Sequence, residues 1–335
     1  MSIYDFPLVS VIMTVRNCEI YIEDALNSII VQTYRNIELV VVDDHSTDGT
    51  GDIIRDFSER YKDMIRVIRN NRNHGVTSSL NIGIRAAKGK YIARQDGDDM
   101  SLPERIKKQV SFLQRYGNIA AVGVKPIVID DKGRYQGIID FPTAPIQIRN
   151  MLMQKRNVLC HGSIMMKRDL LEQTGYYREF FEVSQDRDLW LRMSEVYPLS
   201  NIPEPLYKWR FHEESVTART RPEKLSYRMV MLDCARRRKE DGVDGFGLEY
   251  GGKWEERKSS YYRRGAVSYR LLVWGAVEKQ CNHYFMAVFG VLMALLVWRR
   301  NRVARRFLNG IAREIMAKLK GRWERRFANP RISNV

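Results

Sequence analysis

Short apolar runs alternate with segments of helical period through the first hundred residues, and this alternation restricts the fold more than any other feature of the chain. Residues 8–13 and 37–42 are continuous runs rich in Val and Ile, which is typical of strands that are buried on both faces. Between them, Ile22, Leu26 and Ile29 share one face of a helix predicted over residues 20–31. The same alternation then predicts helices at 50–62 and 76–87 and strands at 65–69 and 90–94. It indicates an α/β fold with a doubly wound parallel sheet, whose ligands bind at the carboxyl ends of the strands.

The pattern changes after residue 100. Pro103 is placed to start a helix that runs to about residue 116, and residues 119–124 are typical of another strand. The sequence Asp-Asp-Lys-Gly at 130–133 indicates a hairpin turn. The other predicted elements are helices at 145–154, 168–174 and 186–195 and an extended segment at 206–211. Because the composition becomes polar and basic around residues 217–224, we predict a main domain at 1–220 and a separate C-terminal region at 221–335.

Asp43 and Asp44 follow the second predicted strand directly. A carboxylate at a strand end can accept hydrogen bonds from a nucleobase or a ribose. Capping of the next helix is an equally good explanation, because Asp44, Ser46 and Asp48 all suit the preceding turn. A calcium loop is excluded, since its twelfth position holds Arg55 where a bidentate Glu is needed.

Asp96, Asp98 and Asp99 crowd three carboxylates into four residues directly after the strand predicted at 90–94. Such carboxylates repel one another, and a bound cation would offset the repulsion. A hard divalent ion, Mg²⁺ or Mn²⁺, would join them to a diphosphate. An acidic, solvated turn that caps the next helix is the alternative.

Two further segments could take part in the chemistry. Asp186, with Asp188 close behind, opens a predicted helix and could deprotonate an attacking hydroxyl, although acids in a first helical turn also stabilise the helix dipole. Arg210 and His212 could stabilise a diphosphate leaving group. On residues alone, stabilisation of the helix dipole is the better explanation for Asp186, and a solvated strand face is the better explanation for Arg210 and His212.

Four segments of the chain together resemble family 2 glycosyltransferases of the GT-A fold. They are VSVIMTVRN from Val9, QTYRNIELVVVDDHSTDGT from Gln32, NHGVTSSLNIGIRAAKGKYIARQDGDD from Asn73 and SQDRDLWLRM from Ser184, in the order and spacing of that family. The resemblance covers about residues 7–215. It implies a Rossmann-like mixed sheet flanked by helices, and an inverting transfer of a sugar from a nucleotide diphosphate donor, most often a UDP-sugar.

The resemblance also implies roles for single residues. It assigns donor binding to Thr14, Asp43, Asp44, Asn73, Gly75, Arg94, Asp96, Arg210 and His212. Asp96 and Asp98 correspond to the DxD motif that binds Mn²⁺ or Mg²⁺, with Asp98 preferred as the direct ligand and Asp99 as an alternative. Asp186 corresponds to the catalytic base, although Gln185 stands where Glu is more common, and Trp209 replaces the Tyr of a YRxH-like element.

The C-terminal region has the composition of a membrane-surface element. Residues 221–335 contain 26 Lys and Arg against 11 Asp and Glu, and so carry almost all of the net charge of +16. The uncharged run at 284–298 is too short to span a bilayer, and it precedes a basic stretch at 299–326 with an apolar residue every fourth position from Val303 to Phe327. This pattern favours an anionic membrane surface over nucleic acid as the partner, while packing on the main domain is the alternative.

The sequence therefore predicts an enzyme of polysaccharide or glycoconjugate biosynthesis, with a nucleotide-sugar donor and a glycan or lipid-linked glycan acceptor. The four scattered cysteines match neither a disulfide framework nor a zinc site, and the N-terminus lacks the pattern of a secretory signal. We therefore expect a cytoplasmic protein that is peripheral at the cytoplasmic face of the membrane. A metal-dependent nucleotidyltransferase, which would release pyrophosphate, and a basic nucleic-acid-binding protein are the alternative functions.

Overall fold

The computed structural model describes residues 6–154, 156–212, 223–242, 244 and 246. The chain divides into two compact units, Met1–Thr220 and Arg221–Val335. The described part of the second unit is mainly one helix, Glu223–Asp241. The predictions for 284–298 and 299–327 lie outside the described residues. No described helix has the length and the apolar content needed to cross a membrane.

The first unit contains nine described strands and seven α-helices. The strands are β1 (Val9–Val15), β2 (Ile37–Asp43), β3 (Ile65–Arg69), β4 (Tyr91–Asp96), β5 (Met100–Ser101), β6 (Ala121–Ile129), β7 (Tyr135–Ile138), β8 (Met165–Lys167) and β9 (Leu199–Arg210). The helices are α1 (Ile22–Ile30), α2 (Thr50–Arg60), α3 (Val76–Ala86), α4 (Arg105–Arg115), α5 (Pro145–Met153), α6 (Arg168–Thr174) and α7 (Gln185–Val196). A 3-10 turn at His161–Ser163 precedes β8.

The described strands form one sheet in the order β3-β2-β1-β4-β8-β6-β9-β5, with β7 beside β6. The first four strands are parallel, and β1 lies between β2 and β4. The chain therefore moves outward from β1 in one direction through β2 and β3, and then returns to the other side of β1 as β4. Ligands of open α/β sheets bind in the crevice at such a reversal. In this register Thr14 of β1 is level with Asp96 of β4, and Val15 is level with Asp43 of β2.

The prediction of a parallel sheet is correct for these first four strands and for the pair β6 and β9, but not for the whole sheet. Strand β8 is antiparallel to both β4 and β6, so the complete sheet is mixed, as the GT-A resemblance implies. Strand β9 runs parallel to β6 over twelve residues, interrupted by irregular register near Lys125, and is longer than the extended segment expected at 206–211. Strands β5 and β8 contain two and three residues, too few to produce a detectable alternation.

Helices cover both faces of the parallel strands. On one face, alternate residues of β1 such as Val11 and Met13 belong to a buried cluster that includes Leu26 of α1 and Phe57 of α2. On the other face, Gly83 of α3 lies so close to β1 that a Cβ there would be 2.6 Å from the Cγ2 of Ile12. The missing side chain lets α3 approach the sheet, which brings the loop before α3 to the carboxyl ends of β1 and β2.

Candidate active site

Asp44, just after β2, fixes the loop that precedes α3. Its carboxylate is 4% exposed, and it accepts hydrogen bonds from the backbone nitrogens of His74 and Gly75, each at 2.8 Å. The Nδ2 of Asn70 donates a third bond at 2.8 Å. Asp43 has a different function, because its Oδ1 accepts from the backbone nitrogen of Ser46 and so shapes the turn after β2. The two neighbouring acids therefore organise two separate loops around the crevice.

Neither of these acids caps helix α2. The helix has Gly49 at its N-cap and receives no side-chain cap hydrogen bond. Asp48 instead shapes the turn before the helix, since its Oδ1 accepts from the backbone nitrogen of Thr50 at 3.1 Å and its Oδ2 from that of Glu19 at 3.2 Å. The helix-capping explanation from the sequence therefore does not hold, and the position of Asp44 is explained by the loop that it holds.

Asn73 and Gly75 lie together at the start of α3. The Oδ1 of Asn73 accepts a hydrogen bond from the Gly75 nitrogen at 3.0 Å. Gly75 has φ 85° and ψ 160°, a combination almost restricted to glycine. A Cβ at Gly75 would meet no atom within 4 Å. The backbone conformation, rather than crowding, therefore requires glycine here, and the space above the residue is open to a ligand.

Arg94 holds the first carboxylate of the DxD motif. Its guanidinium is 2.7 Å from Oδ2 and 2.6 Å from Oδ1 of Asp96, a two-pronged ion pair. Both residues are on β4, two positions apart, and so project from the same face of the strand. Thr14, level with Asp96 on the neighbouring strand, is partly exposed at the same edge. With both of its oxygens paired to Arg94, Asp96 is less free to bind a cation than Asp98.

Asp98 is, like Asp96, a partly exposed carboxylate of the motif. About a quarter of its side chain is exposed, and its Oδ2 lies 3.0 Å from the Nε2 of His212. The His212 ring packs against Tyr21, with 5.2 Å between the ring centroids. The structure thus brings together the predicted metal ligand and the predicted histidine, although they are far apart in sequence.

Arg210 is hydrogen-bonded to the DxD loop, residues 96–99. Only 3% of the residue is exposed, its Nε donates to the backbone oxygen of Asp98 at 2.9 Å, and its Nη1 donates to that of Asp131 at 3.0 Å. Its backbone nitrogen donates to the Oδ1 of Asp99 at 2.7 Å. The guanidinium also lies over the Tyr21 ring, 4.6 Å from its centre. These contacts give Arg210 a structural task in the loop.

Asp99, the last acid of the same loop, is buried, with 1% of its surface exposed. Burial raises the pKa of Asp99 well above its usual range, and the charges of Asp98 and Asp96 raise it further. A buried acid that is hydrogen-bonded to the backbone serves to shape the loop. The alternative assignment of Asp99 as a metal ligand is therefore less compatible with this geometry than Asp98.

Asp186 lies in the first turn of α7. Burial raises the pKa of Asp96, the Arg94 guanidinium opposes that effect, and the charges of Asp98 and Asp186 add to it. The carboxylate of Asp186 is thus within electrostatic reach of the DxD motif. Ser184 precedes the helix in a left-handed conformation, with φ 65°. That conformation costs about 1 kcal/mol or more for a residue with a Cβ, and it turns the chain sharply into α7.

Asp188, the alternative base, has a structural role. It is fully buried, and its Oδ2 is 2.9 Å from both Nε and Nη2 of Arg192. Arg192 also donates to the backbone oxygens of Thr174, Gly175 and Tyr176. The pair therefore ties α7 to the loop after α6, and the buried Asp188 is not placed to meet an acceptor.

The 3-10 turn at His161–Ser163 contributes residues that the sequence analysis did not single out. A Cβ at Gly162 would lie 2.6 Å from the Oδ2 of Asp96 and 2.2 Å from the Tyr207 hydroxyl, so only glycine lets this turn lie against the DxD carboxylate. His161 is half-buried, and its Nε2 is 2.9 Å from the Tyr177 hydroxyl. No local pattern marks these residues, because their neighbours in the site come from distant parts of the chain.

A buried arginine holds this turn in place. Arg105 of α4 has no exposed surface, and its Nη1 donates to the backbone oxygens of Arg94 at 2.9 Å and Gly162 at 3.2 Å. Burial lowers the pKa of Arg105 to about 10, so it remains charged at neutral pH. Helix α4 therefore joins β4 to the 3-10 turn and fixes their separation at the DxD motif.

The residues present fit a divalent cation that arrives with its substrate. Within the described residues, no three His, Cys, Asp or Glu side chains form a ready cluster for a metal ion. Magnesium and manganese, however, commonly use one or two carboxylates and take their other ligands from phosphate and water. Asp98, partly exposed and next to His212, matches that limited donor set.

Comparison with known proteins agrees with this architecture. The sequence profile of glycosyl transferase family 2 matches residues 10–175. The putative glycosyltransferase EpsE of Bacillus subtilis is 37% identical over 236 residues, which span 70% of this chain and 84% of that protein. The chain belongs to glycosyl transferase family 2. An uncharacterized glycosyltransferase of Haemophilus influenzae is 35% identical over 62% of this chain and 66% of its own length.

Solved structures confirm the GT-A fold of this family 2 chain. S. aureus TarS, residues 1–349 in complex with UDP-GlcNAc, aligns with a TM-score of 0.60 at 20% identity and covers 92% of each chain. The mannosyltransferase PcManGT of Pyrobaculum calidifontis, in complex with GDP-Man and Mn²⁺, aligns with a TM-score of 0.54 at 19% identity, over 95% of this chain and 88% of its own. At these identities the likeness concerns the fold. The predictions of fold class and family are therefore correct.

Proposed function

We propose that this glycosyltransferase transfers a sugar from a UDP-sugar to a hydroxyl group of a glycan or a lipid-linked glycan, with inversion at the anomeric carbon. The observation that supports the proposal is the electrostatic proximity of Asp186 to the DxD motif, since the charge of Asp186 is one of the causes that raise the pKa of Asp96. If the donor is held at the DxD motif, its sugar would lie between the DxD carboxylates and Asp186. In that arrangement a single direct displacement of the diphosphate by the acceptor hydroxyl would suffice.

Asp186 would act as the general base. It would take the proton of the acceptor hydroxyl as that oxygen forms a bond to the anomeric carbon, while the bond from that carbon to the diphosphate oxygen breaks. The electron pair of the broken bond leaves with the nucleoside diphosphate. Asp188 is engaged with Arg192, so a single base remains, and one displacement inverts the configuration.

The donor side would be formed by the loops at the carboxyl ends of the parallel strands. Thr14, Asp44 and the open backbone at Gly75 would surround the nucleoside. Asp98 and His212 would hold Mn²⁺ or Mg²⁺, which supplies positive charge to the diphosphate when it is bound. Arg94 would orient Asp96 toward the ribose or toward a water at the cation. Arg210, by its contacts, would act through the position of the Asp98 loop and not on the diphosphate itself.

The supporting neighbours differ in nucleotide, because TarS was solved with UDP-GlcNAc and PcManGT with GDP-Man. A panel of UDP- and GDP-sugars, incubated with the protein and Mn²⁺, therefore tests the proposal through release of the nucleoside diphosphate, with water taking the place of the acceptor hydroxyl. We expect release from a UDP-sugar, which is abolished by EDTA and restored by Mn²⁺. Pyrophosphate release from a nucleoside triphosphate and a sugar phosphate would instead identify a nucleotidyltransferase.

We further propose that the C-terminal region, rich in Lys and Arg, associates peripherally with the cytoplasmic face of a membrane and so meets a lipid-linked acceptor. The support is its composition, in particular the basic stretch at 299–326. Full-length protein should sediment with vesicles that contain anionic lipid and not with neutral vesicles. Substitution of the basic residues of 299–326 by Gln should abolish this binding, and equal binding to neutral vesicles would contradict the electrostatic part of the proposal.

A further inference from the structure

We infer that the His161 ring, held in place by Tyr177, contacts the transferred sugar of the donor and helps to determine which sugar is accepted. The inference rests on the proposed function and assigns a specificity residue to the same site. It follows from the backbone that carries His161, from the contacts of its ring and from the charges around that ring.

The backbone next to His161 forms a wall of the crevice. Gly162 touches the Asp96 carboxylate so closely that a methyl group in place of its hydrogen would overlap it. The adjoining ring of His161 is therefore beside the DxD motif and not at the periphery. Arg105 fixes this wall through the backbone oxygen of Gly162.

The ring of His161 has a defined orientation. Its Nε2 is 2.9 Å from the Tyr177 hydroxyl, and its edge meets Trp190 of α7, with 6.1 Å between ring centroids. Tyr177 is itself held by Asn81, whose Oδ1 accepts from the Tyr177 nitrogen and whose Nδ2 donates to the Tyr177 oxygen. Because Tyr177 and Trp190 fix the ring, its Nδ1 is available to another partner. Within the described residues, no hydrogen bond is made by that nitrogen.

The charges around the ring define the space that it borders. The pKa of Tyr177 is raised mainly by burial, and the charges of Arg94, Asp186 and Asp96 all act on it as well. The His161–Tyr177 pair is therefore within electrostatic reach of both the DxD motif and Asp186, and the neighbouring Gly162 is in contact with the Asp96 carboxylate. In the proposed displacement the sugar would lie near this pair, because its anomeric carbon lies between the leaving diphosphate and the attacking hydroxyl.

A neutral imidazole is suited to a sugar hydroxyl in that position. Burial lowers the pKa of His161 well below its usual value, and the nearby positive charge of Arg94 lowers it further. The ring therefore stays uncharged at neutral pH, so it can exchange a directional hydrogen bond with a hydroxyl without attracting the diphosphate. Loss of a hydrogen bond of this kind discriminates strongly between sugars, because it leaves a polar group of the site unpaired.

Binding of UDP and of UDP-sugars, measured by calorimetry with Mn²⁺, separates a sugar contact from a general effect on the site. The probes are UDP, UDP-glucose, UDP-galactose, UDP-GlcNAc and UDP-GalNAc. For His161→Phe we expect UDP affinity within about twofold of wild type, and an affinity for the preferred UDP-sugar that is about tenfold lower, as for a lost hydrogen bond. Tyr177→Phe, which leaves the ring but removes its partner, should give a smaller loss of the same kind.

Tyr197→Phe is the matched control, because it removes an exposed tyrosine hydroxyl that bonds to the Oε1 of Gln173 and should change neither affinity. Equal losses of UDP and UDP-sugar affinity in both His161→Phe and Tyr177→Phe would overturn the inference, and so would unchanged UDP-sugar affinity in both. A wild-type protein that binds none of the UDP-sugars would overturn the proposed donor and this inference with it.

Discussion

Replacement of Asp188 by Asn should destabilise the protein, whereas the same replacement at Asp186 should not. Asp188 is fully buried and shares its carboxylate with Arg192, which is itself 7% exposed. Removing one partner of a buried ion pair costs about 3–5 kcal/mol, because the other charge stays buried and uncompensated. Arg192 keeps its three backbone acceptors in Asp188→Asn, so we expect the lower end of that range, about 3 kcal/mol.

This loss corresponds to a fall in the melting temperature of about 6–12 °C, since 1 kcal/mol lowers it by about 2–4 °C in a domain of this size. Thermal unfolding followed by circular dichroism, with Asp186→Asn as the control, measures the difference. Asp186 is partly exposed at the start of α7, so its variant should melt close to wild type. If Asp188→Asn melted like wild type and yet lost turnover, the structural role of Asp188 would be refuted. Asp188 would then be the better candidate for the base.

Two other substitutions test the DxD surroundings. Gly162→Ala should lower metal-dependent donor binding and cost about 1–3 kcal/mol of stability, because the added Cβ would overlap the Asp96 carboxylate and the Tyr207 hydroxyl. Unchanged binding of UDP-sugar with Mn²⁺, measured by calorimetry, would contradict this close contact. Arg210→Lys keeps the charge, but a lysine cannot form hydrogen bonds to the backbone oxygens of both Asp98 and Asp131. We therefore expect the full-length variant to bind Mn²⁺ more weakly than the wild-type protein. Equal Mn²⁺ affinity of the variant and the wild type would show that Arg210 does not hold the loop.

Most of the parallel part of the fold could be predicted because β1, β2 and β4 are buried on both faces. Continuous apolar runs identify such strands, and an abrupt change to acidic residues marks their ends. Asp43 and Asp96 therefore lie at the strand ends where they were expected. Strand β3, which is a largely exposed edge strand, and helix α6 also have the predicted bounds. The family resemblance then identified the mixed character of the sheet, which periodicity alone did not show.

Several features of the site depend on contacts between distant segments, and local patterns could not reveal them. Strand β8 and the turn with His161 and Gly162 are short, and their importance comes from β4 and from Tyr177. Other features were within reach of simple spacing rules. Arg94 and Asp96 are two positions apart on a strand, and Asp188 and Arg192 are four apart on a helix, so each pair faces the same way.

In the proposed mechanism Asp98 holds the cation with the donor, and Asp186 removes the proton of the acceptor hydroxyl. The most direct test measures UDP-sugar affinity and turnover together, with Mn²⁺, in Asp98→Asn and Asp186→Asn. We predict that Asp98→Asn loses metal-dependent donor binding, and that Asp186→Asn binds the donor normally while its turnover falls by about 10²–10⁴-fold, the usual contribution of a general base. Undiminished metal-dependent binding in Asp98→Asn, or parallel loss of binding and turnover in Asp186→Asn, would contradict these assignments.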